Sequence, residues 1–410
     1  MHRRVSGVIA FGVCACLGAG LGAQEAAPPA EPAREDTRAQ YPALLSNAFV
    51  NINVGYIDYP FSRRQLEPGH QVETIYVPRV AVRAVLVGRH FGKYVSAQAS
   101  YMRPVKYVRY RNIDESGTTR FVWMHFGTVT LRSRVPVGRR LSVYGEGGLA
   151  ITNRSGFEVD EVPIVRDAHF TSPLVGAGFD YHVNRTWDIV SGASVILASD
   201  EHRQPRTMLL STGFRYNLRP LPASRVEEAL KSGYVFPANL VQVGYATNAL
   251  GFGVNNFLSK TVPVFWGGKV EVERSVFTVQ YQRNVFHTRK VFALDMGASV
   301  SQWRSAGNGE RFRTLSVYPV LRFNLLRRKP ADLYLSYSVA GPSYISRDVI
   351  DGRDTGSSFT FQDFMGLGVY LGQRRRINAE VGINHYSNGN ILTENAGVKI
   401  PLTLKIGYAF

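Results

Sequence analysis

The chain has 410 residues, with 48 Lys+Arg against 31 Asp+Glu, a formal net charge of +17, 12% aromatic residues and 39 glycines. Its length points to two or three structural units, and past the N-terminus no stretch approaches the roughly 18 consecutive apolar residues of a membrane helix, which excludes a helical membrane protein. So basic a chain suits nucleic acid or anionic lipid; the export signal described next argues against nucleic acid and leaves lipid headgroups.

Residues 1–23 read as a secretory signal, with His2, Arg3 and Arg4 ahead of an apolar stretch over 5–21 and small residues at Gly22 and Ala23. Both cysteines, Cys14 and Cys16, fall inside it, so the exported chain carries neither thiol nor disulfide. Val13, Cys14 and Ala15 loosely resemble a lipoprotein box, which makes lipidation at Cys16 the alternative. Residues 24–46 open with Pro28, Pro29, Glu31, Pro32 and Asp36 and read as a disordered periplasmic lead-in.

From residue 47 the pattern changes to period-2 alternation, in eight runs: 47–57, 76–88, 93–105, 121–135, 140–151, 168–183, 185–198 and 206–218. In the first, Val50, Ile52, Val54 and Tyr56 face one way and Asn51, Asn53 and Gly55 the other. In the last, Met208, Leu210, Phe214, Tyr216 and Leu218 oppose Thr207, Ser211, Gly213, Arg215 and Asn217. The runs are 11 to 16 residues long, nearer to tilted membrane strands of roughly 9–11 residues than to the 5 or 6 usual in soluble sheets. Arg79, Arg83 and Arg215 would line a polar lumen or pair with Glu146.

Pro220, Pro222 and Pro237 interrupt the alternation over 219–238, around a short amphipathic piece at 224–231 where Ser224 and Glu227 have capping-box spacing. Alternation resumes at 239–248, 265–273, 276–285, 289–302, 312–326, 330–341, 359–373, 377–388 and 398–410. Nine runs exceed the even number of a closed bacterial barrel, so one early run is expected to be a loop or to merge with its neighbour. The last alternates Leu402, Leu404, Ile406, Tyr408 and Phe410 with Thr403, Lys405, Gly407 and Ala409, similar to the terminal strand by which outer-membrane barrels are recognised for assembly. The expected fold is all-β: antiparallel transmembrane β-barrels, two tandem barrels of eight strands (47–218 and 239–410) joined by a short helical linker, with one sixteen-stranded barrel as the alternative. The expected location is the outer membrane of a Gram-negative bacterium, after cleavage of the signal.

Parity along 377–388 places Ile377, Ala379, Val381, Ile383, His385 and Ser387 on the lipid side and Asn378, Glu380, Gly382 and Asn384 on the other. Two residues of strand rise separate His385 from Ser387 by roughly 6.5–7 Å at the backbone, within reach for a base and a nucleophile. Taken alone, such a pair is also what chance supplies near a membrane interface, where polar side chains cost little.

The sequence His385-Tyr386-Ser387-Asn388, followed after a short loop by Asn395-Ala396-Gly397, resembles the PagL-like lipid A 3-O-deacylases. The motif covers about fifteen positions, and the similarity in strand order spans roughly 235–410. The resemblance implies an ester hydrolase of lipid A in lipopolysaccharide, with His385 as general base, Ser387 as nucleophile and Asn388 helping to hold the oxyanion, and with no cofactor or metal. Two positions depart from the family. Its catalytic glutamate aligns with Lys399, which cannot accept a proton from histidine as a carboxylate does; Glu394 in the same loop is the substitute, since Glu380 has the wrong parity. Gly389-Asn390 stands where Ala-Gly is commoner. The first half resembles OmpA-like eight-stranded barrels in a general way, and the competing reading of the whole chain is a non-catalytic OmpA-like structural or pore-forming barrel. Its partners are then outer-membrane lipids, and the sequence does not specify an oligomeric state.

No Gly-x-Ser-x-Gly elbow, HExxH or P-loop occurs. Gly366-Leu367-Gly368 and Gly145-Glu146-Gly147-Gly148 read as close-packed strand glycines, and His90, His125 and His182 lack ligand spacing.

Overall fold

In the computed structural model, which describes residues 38–261, 267–392 and 394–410, the first strand shows how its two faces are used. Asn51 and Asn53 are 3% and 8% exposed, while Val50 and Ile52 are 44% and 66% exposed. Apolar side chains point outward and polar ones inward, the reverse of a soluble sheet and the arrangement of a barrel solvated by lipid. Leu404, Ile406 and Tyr408 are likewise exposed while Thr403 and Lys405 are buried.

The first half supplies β1 (Ala48–Asp58), β2 (Val72–Tyr76), β3 (Val80–Phe91), β4 (Val95–Pro104), β5 (Val108–Ile113), β6 (Thr119–Pro136) and β7 (Leu141–Ser155). It continues with a small hairpin of β8 (Phe157–Val159) and β9 (Val162–Val165), then β10 (Ala168–His182), β11 (Trp187–Ile196) and β12 (Thr207–Leu218). Helix α1 (Ala223–Leu230) leads to β13 (Asn239–Ala246), helix α2 (Gly253–Thr261), β14 (Val270–His287), β15 (Phe292–Ser305), β16 (Arg311–Arg328) and β17 (Ala331–Ile345). After the short β18 (Val349–Ile350) and β19 (Arg353–Asp354) come β20 (Phe359–Leu371), β21 (Ile377–Ser387) and β22 (Val398–Ala409). No helix among the described residues is long and apolar enough to cross a membrane.

Strands β1, β3, β4, β6, β7, β10, β11 and β12 pair antiparallel in that order, and β12 closes on β1. β2 and β5 extend the sheet beyond β6. In the second half β13 to β17 and β20 to β22 form another closed barrel through β22 and β13. Two barrels of eight therefore replace the sixteen-stranded alternative. All eight expected runs of the first half correspond to barrel strands. In the second half the described part of 265–273 joins 276–285 in the single strand β14, which brings nine runs to eight.

Short turns, such as those between β14 and β15 and between β16 and β17, lie at the end where β13 starts and β22 finishes; the connection 346–358 and the described parts of the connections from β13 to β14 and from β21 to β22 lie at the other. In outer-membrane barrels the long loops face outward.

Part of each lumen is filled by paired polar side chains, and the rest by buried apolar clusters, around Tyr110 and Phe126 in the first barrel and Trp303 and Ile345 in the second. In the first, Arg83 pairs with Glu146, and Asp180 accepts from Arg132 (3.0 Å) and Arg215 (2.7 Å). In the second, Lys405 pairs with Glu380, which also accepts from the Tyr334 hydroxyl at 2.8 Å, and Arg322 pairs with Asp295 at 2.7 Å. Arg79 does not line the lumen; it is exposed and bridges to Asp58.

The expected signal over 1–23 and positions 24–37 of the lead-in lie outside the described residues. Arg38 donates to Asn284 Oδ1 at 3.1 Å, and the Tyr41 ring lies 4.4 Å from that of Phe286, so the described end of the lead-in packs against the second barrel. The linker helix forms, but without the expected capping box. Pro222 occupies the N-cap with no side-chain cap bond, which leaves Ser224 inside the first turn, while Glu227 pairs with Lys231 at 2.5 Å.

Candidate active site at the outer end of the second barrel

β21 keeps its alternation to its end. Glu380 faces the lumen, and so does Tyr386, whose hydroxyl lies 3.0 Å from Thr314 Oγ1, itself accepting from Trp303 Nε1 at 2.9 Å. His385 and Ser387, on either side of Tyr386, therefore face outward, at the end where the long loops emerge.

Although outward, His385 is only 2% exposed. β13 is eight residues long and its neighbours are longer, so past its end β14 and β22 meet in a short parallel pairing, Val270 with Val398 and Glu271 with Lys399. Gly268 and Gly397 approach closely there. A Cβ on Gly397, whose φ is +62°, would sit 3.5 Å from His385 Nε2, so glycine brings the backbone against the ring. Over the same stretch Asn255 of α2 donates to Ile400 O at 3.0 Å.

The direct cross-strand neighbours of His385 are Asp363 on β20 and Lys399 on β22. Asp363 Oδ2 lies 3.6 Å from His385 Nδ1, and Oδ1 accepts the Ala340 N–H at 2.6 Å. Ala340 has a φ of +54° within a bulge of β17, and that bulge turns its amide toward the carboxylate. The 3.6 Å separation is longer than a formed hydrogen bond; catalytic pairs commonly tighten only around substrate.

Lys399 occupies the position that the resemblance gives to the family glutamate. Its ammonium pairs with Glu271 at 2.8 Å and lies 4.7 Å from the centre of the Phe252 ring, so its charge is spent on that side of β22. Glu394, the expected substitute, is exposed; its backbone carbonyl accepts from Asn388, and its carboxylate makes no ion pair among the described residues. The structure thus does not bring Glu394 to His385 and does bring Asp363, which the sequence reading missed. A signal was available: along β20 the outward positions are Phe359, Phe361, Asp363, Met365, Leu367 and Val369, and a lone carboxylate on a lipid-side face requires a partner.

Ser387 is half-buried opposite Phe361, and its hydroxyl makes no hydrogen bond among the described residues. Asn388 is buried, and its Nδ2 donates to Thr355 O (3.1 Å) and Glu394 O (2.5 Å), so both amide protons are committed to clamping two loops. Its backbone N–H donates to Asn395 Oδ1 at 3.1 Å, and Asn395 in turn donates to Asn390 Oδ1 at 2.8 Å. Gly389 and Asn390, at φ +66° and +57°, form the turn between them; glycine and asparagine are the residues that adopt this conformation most readily. The asparagine of the Asn395-Ala396-Gly397 segment thus ties the loop together, and its glycine lets β22 approach the histidine.

Residues 275–408 match the family model described as lipid A 3-O-deacylase (PagL), a match that lies within the second barrel. No curated protein matches the chain. Among solved structures, the outer-membrane enzyme PagL is 18% identical with a TM-score of 0.28, over 42% of this chain and 98% of that one. The N-terminal β-barrel domain of Pseudomonas aeruginosa OprF is 14% identical with a TM-score of 0.28, over 42% and 98%. Neisserial surface protein A is 13% identical with a TM-score of 0.27, over 42% and 97%. The chain joins an eight-stranded first barrel, outside the family match, to a second eight-stranded barrel in which residues 275–408 match the lipid A 3-O-deacylase (PagL) model.

Proposed function

We propose that the second barrel is a serine esterase that removes an ester-linked acyl chain from lipid A, at the 3-O position by resemblance, with Ser387 as nucleophile, His385 as general base and Asp363 as the carboxylate that orients it. The single observation carrying this reading is the cross-strand placement of Asp363 beside His385 Nδ1, which supplies the acid that Lys399 cannot.

Asp363 favours the tautomer with hydrogen on Nδ1, which leaves Nε2 to take the Ser387 proton. Oγ then bonds to the ester carbonyl carbon, and the carbonyl pair moves to oxygen. Collapse of that intermediate breaks the bond to the sugar oxygen, which receives the proton from His385. Water, deprotonated by His385, attacks the acyl-serine in the same way and releases the fatty acid. Asp363 stabilises the imidazolium in both halves. Phe359 and Phe361, outward on β20 with ring centres 5.1 Å apart, form an apolar bed beside Ser387 for the acyl chain. With its side-chain donors committed, Asn388 acts by shaping the loop, and oxyanion donation from it would require one of those bonds to open.

The test is mass spectrometry of lipid A from cells with and without the protein. Loss of one ester-linked acyl chain with wild type, and none with Ser387→Ala, is expected. Unchanged lipid A with folded wild type in the outer membrane would leave the competing reading, a non-catalytic barrel, which Lys399 at the family acid position favours.

A further inference from the structure

The first barrel has a feature that the esterase reading does not use. From Ser116 to Gly145 the sequence contains no Asp or Glu, and the preceding segment 103–113 carries Arg103, Lys106, Arg109 and Arg111, again with no acid. The sheet extension places Arg109 and Arg111 on one exposed face. Arg109 pairs across strands with Tyr76 on one side and Phe121 on the other, and Arg111 with Thr74 and Thr119. Directly paired residues share a face. The Arg109 guanidinium lies 5.3 Å from the centre of the Tyr76 ring, Tyr107 stacks on Trp123 at 4.0 Å, and Arg103 lies 5.8 Å from the Tyr107 ring. Tyr76, Phe121 and Trp123 are exposed, and Lys106, Arg109 and Arg111 make no ion pair among the described residues.

Exposed aromatics interleaved with uncompensated cations, at the long-loop end of a barrel, are suited to a membrane interface, the rings at the headgroup boundary and the cations on anionic headgroups. The face is also close to the candidate active site. Trp123 and Gly127 lie on the same outward side of β6, four residues or about 13 Å apart. A Cβ on Gly127 would lie 3.8 Å from Ile391 Cγ1, and Asn153 on β7 donates to Asn390 O (2.7 Å) and Leu392 O (2.9 Å). Ile391 belongs to the loop that follows Ser387.

We propose that this face of β2, β5 and β6 binds the phosphorylated headgroup of an outer-leaflet glycolipid, so that the first barrel presents substrate to the second. The inference rests on the esterase reading for its purpose, while its binding step is separable from catalysis.

The test uses the full chain carrying Ser387→Ala, so that nothing is turned over, in detergent micelles. It is titrated with bis-phosphorylated lipid A and with the same lipid stripped of both phosphates. Preference for the phosphorylated form is expected, and Arg109→Gln with Arg111→Gln should weaken its binding roughly 30-fold, at the usual gain per cation near an anionic surface. Arg109→Lys with Arg111→Lys should retain most of the binding, which separates charge from a structural role. Arg139→Gln with Arg140→Gln, in the turn at the opposite end of β6, should change nothing. Equal affinity for the two lipids, an equal loss from the Arg139 and Arg140 changes, or complete displacement by excess inorganic phosphate each overturns the proposal. Preference for phosphate together with no acyl release by the unmutated chain would retain the headgroup site and reject the esterase; acyl release without preference would do the reverse.

Discussion

Asp363 and His385 stand directly opposite each other on β20 and β21, with Oδ2 and Nδ1 3.6 Å apart, while the Ala340 amide holds the other carboxylate oxygen at 2.6 Å. A bulge on a third strand thus orients a carboxylate on the second toward a histidine on the first.

Asp363→Asn should lower kcat by about 10²–10⁴-fold with little change in KM, because the amide no longer favours the reactive tautomer or stabilises the imidazolium. Glu394→Gln should leave activity unchanged. Acyl release from purified lipid A measures both, and the opposite pattern would assign the acid to the loop.

Lys399→Glu is informative mainly in combination. Alone it sets a second carboxylate beside Glu271 and breaks a 2.8 Å ion pair, so no gain is expected. In the Asp363→Asn background it places a carboxylate on the other flank of His385, and recovery of at least about tenfold in kcat is expected. Absence of recovery in a folded double variant would mean that only the β20 flank serves.

His385→Ala and Ser387→Ala should each abolish acyl release while the barrel keeps its heat-modifiable migration on gels, since both lie on the outward face and neither contributes to the lumen network. Loss of heat-modifiability in either would show that the residue is structural.

Asn388→Ala removes the donor shared by Thr355 O and Glu394 O, and the outer loops should lose roughly 1–3 kcal/mol of local stability. Faster protease nicking over 389–397 together with reduced turnover is expected. Reduced turnover with unaltered nicking would instead favour a direct role at the oxyanion.

Residues 234–410 alone should form a heat-modifiable barrel, because β22 closes on β13 without any strand from the first half. Failure to fold would make the packing of Arg38 and Tyr41 against the second barrel essential rather than auxiliary.

Much of the architecture follows from local periodicity. Val50 to Tyr56 alternate, Leu402 to Phe410 alternate, and a strand's period of two obliges such residues to divide between lipid and lumen whatever their partners are. The outward placement of His385 and Ser387 was legible for the same reason, since nothing interrupts the parity of β21. Which early run of the second half would merge with its neighbour was not legible, because residues on either side of position 275 continue one long strand whose register against β15 shifts at bulges. At α1, Ser224 and Glu227 had the right spacing, yet Pro222 took the cap.

The sequence by itself determined the alternating strands, their lipid-side faces and the positions of His385 and Ser387, since each depends on residues close together in the chain, whereas closure as two barrels of eight rather than one of sixteen came from pairing between distant strands. Only the tertiary structure decided which carboxylate stands beside His385. Asp363 lies on a neighbouring strand and Ala340 on the one beyond it, and their meeting depends on strand register and on a bulge, which are set by pairing between distant segments rather than by the residues nearby.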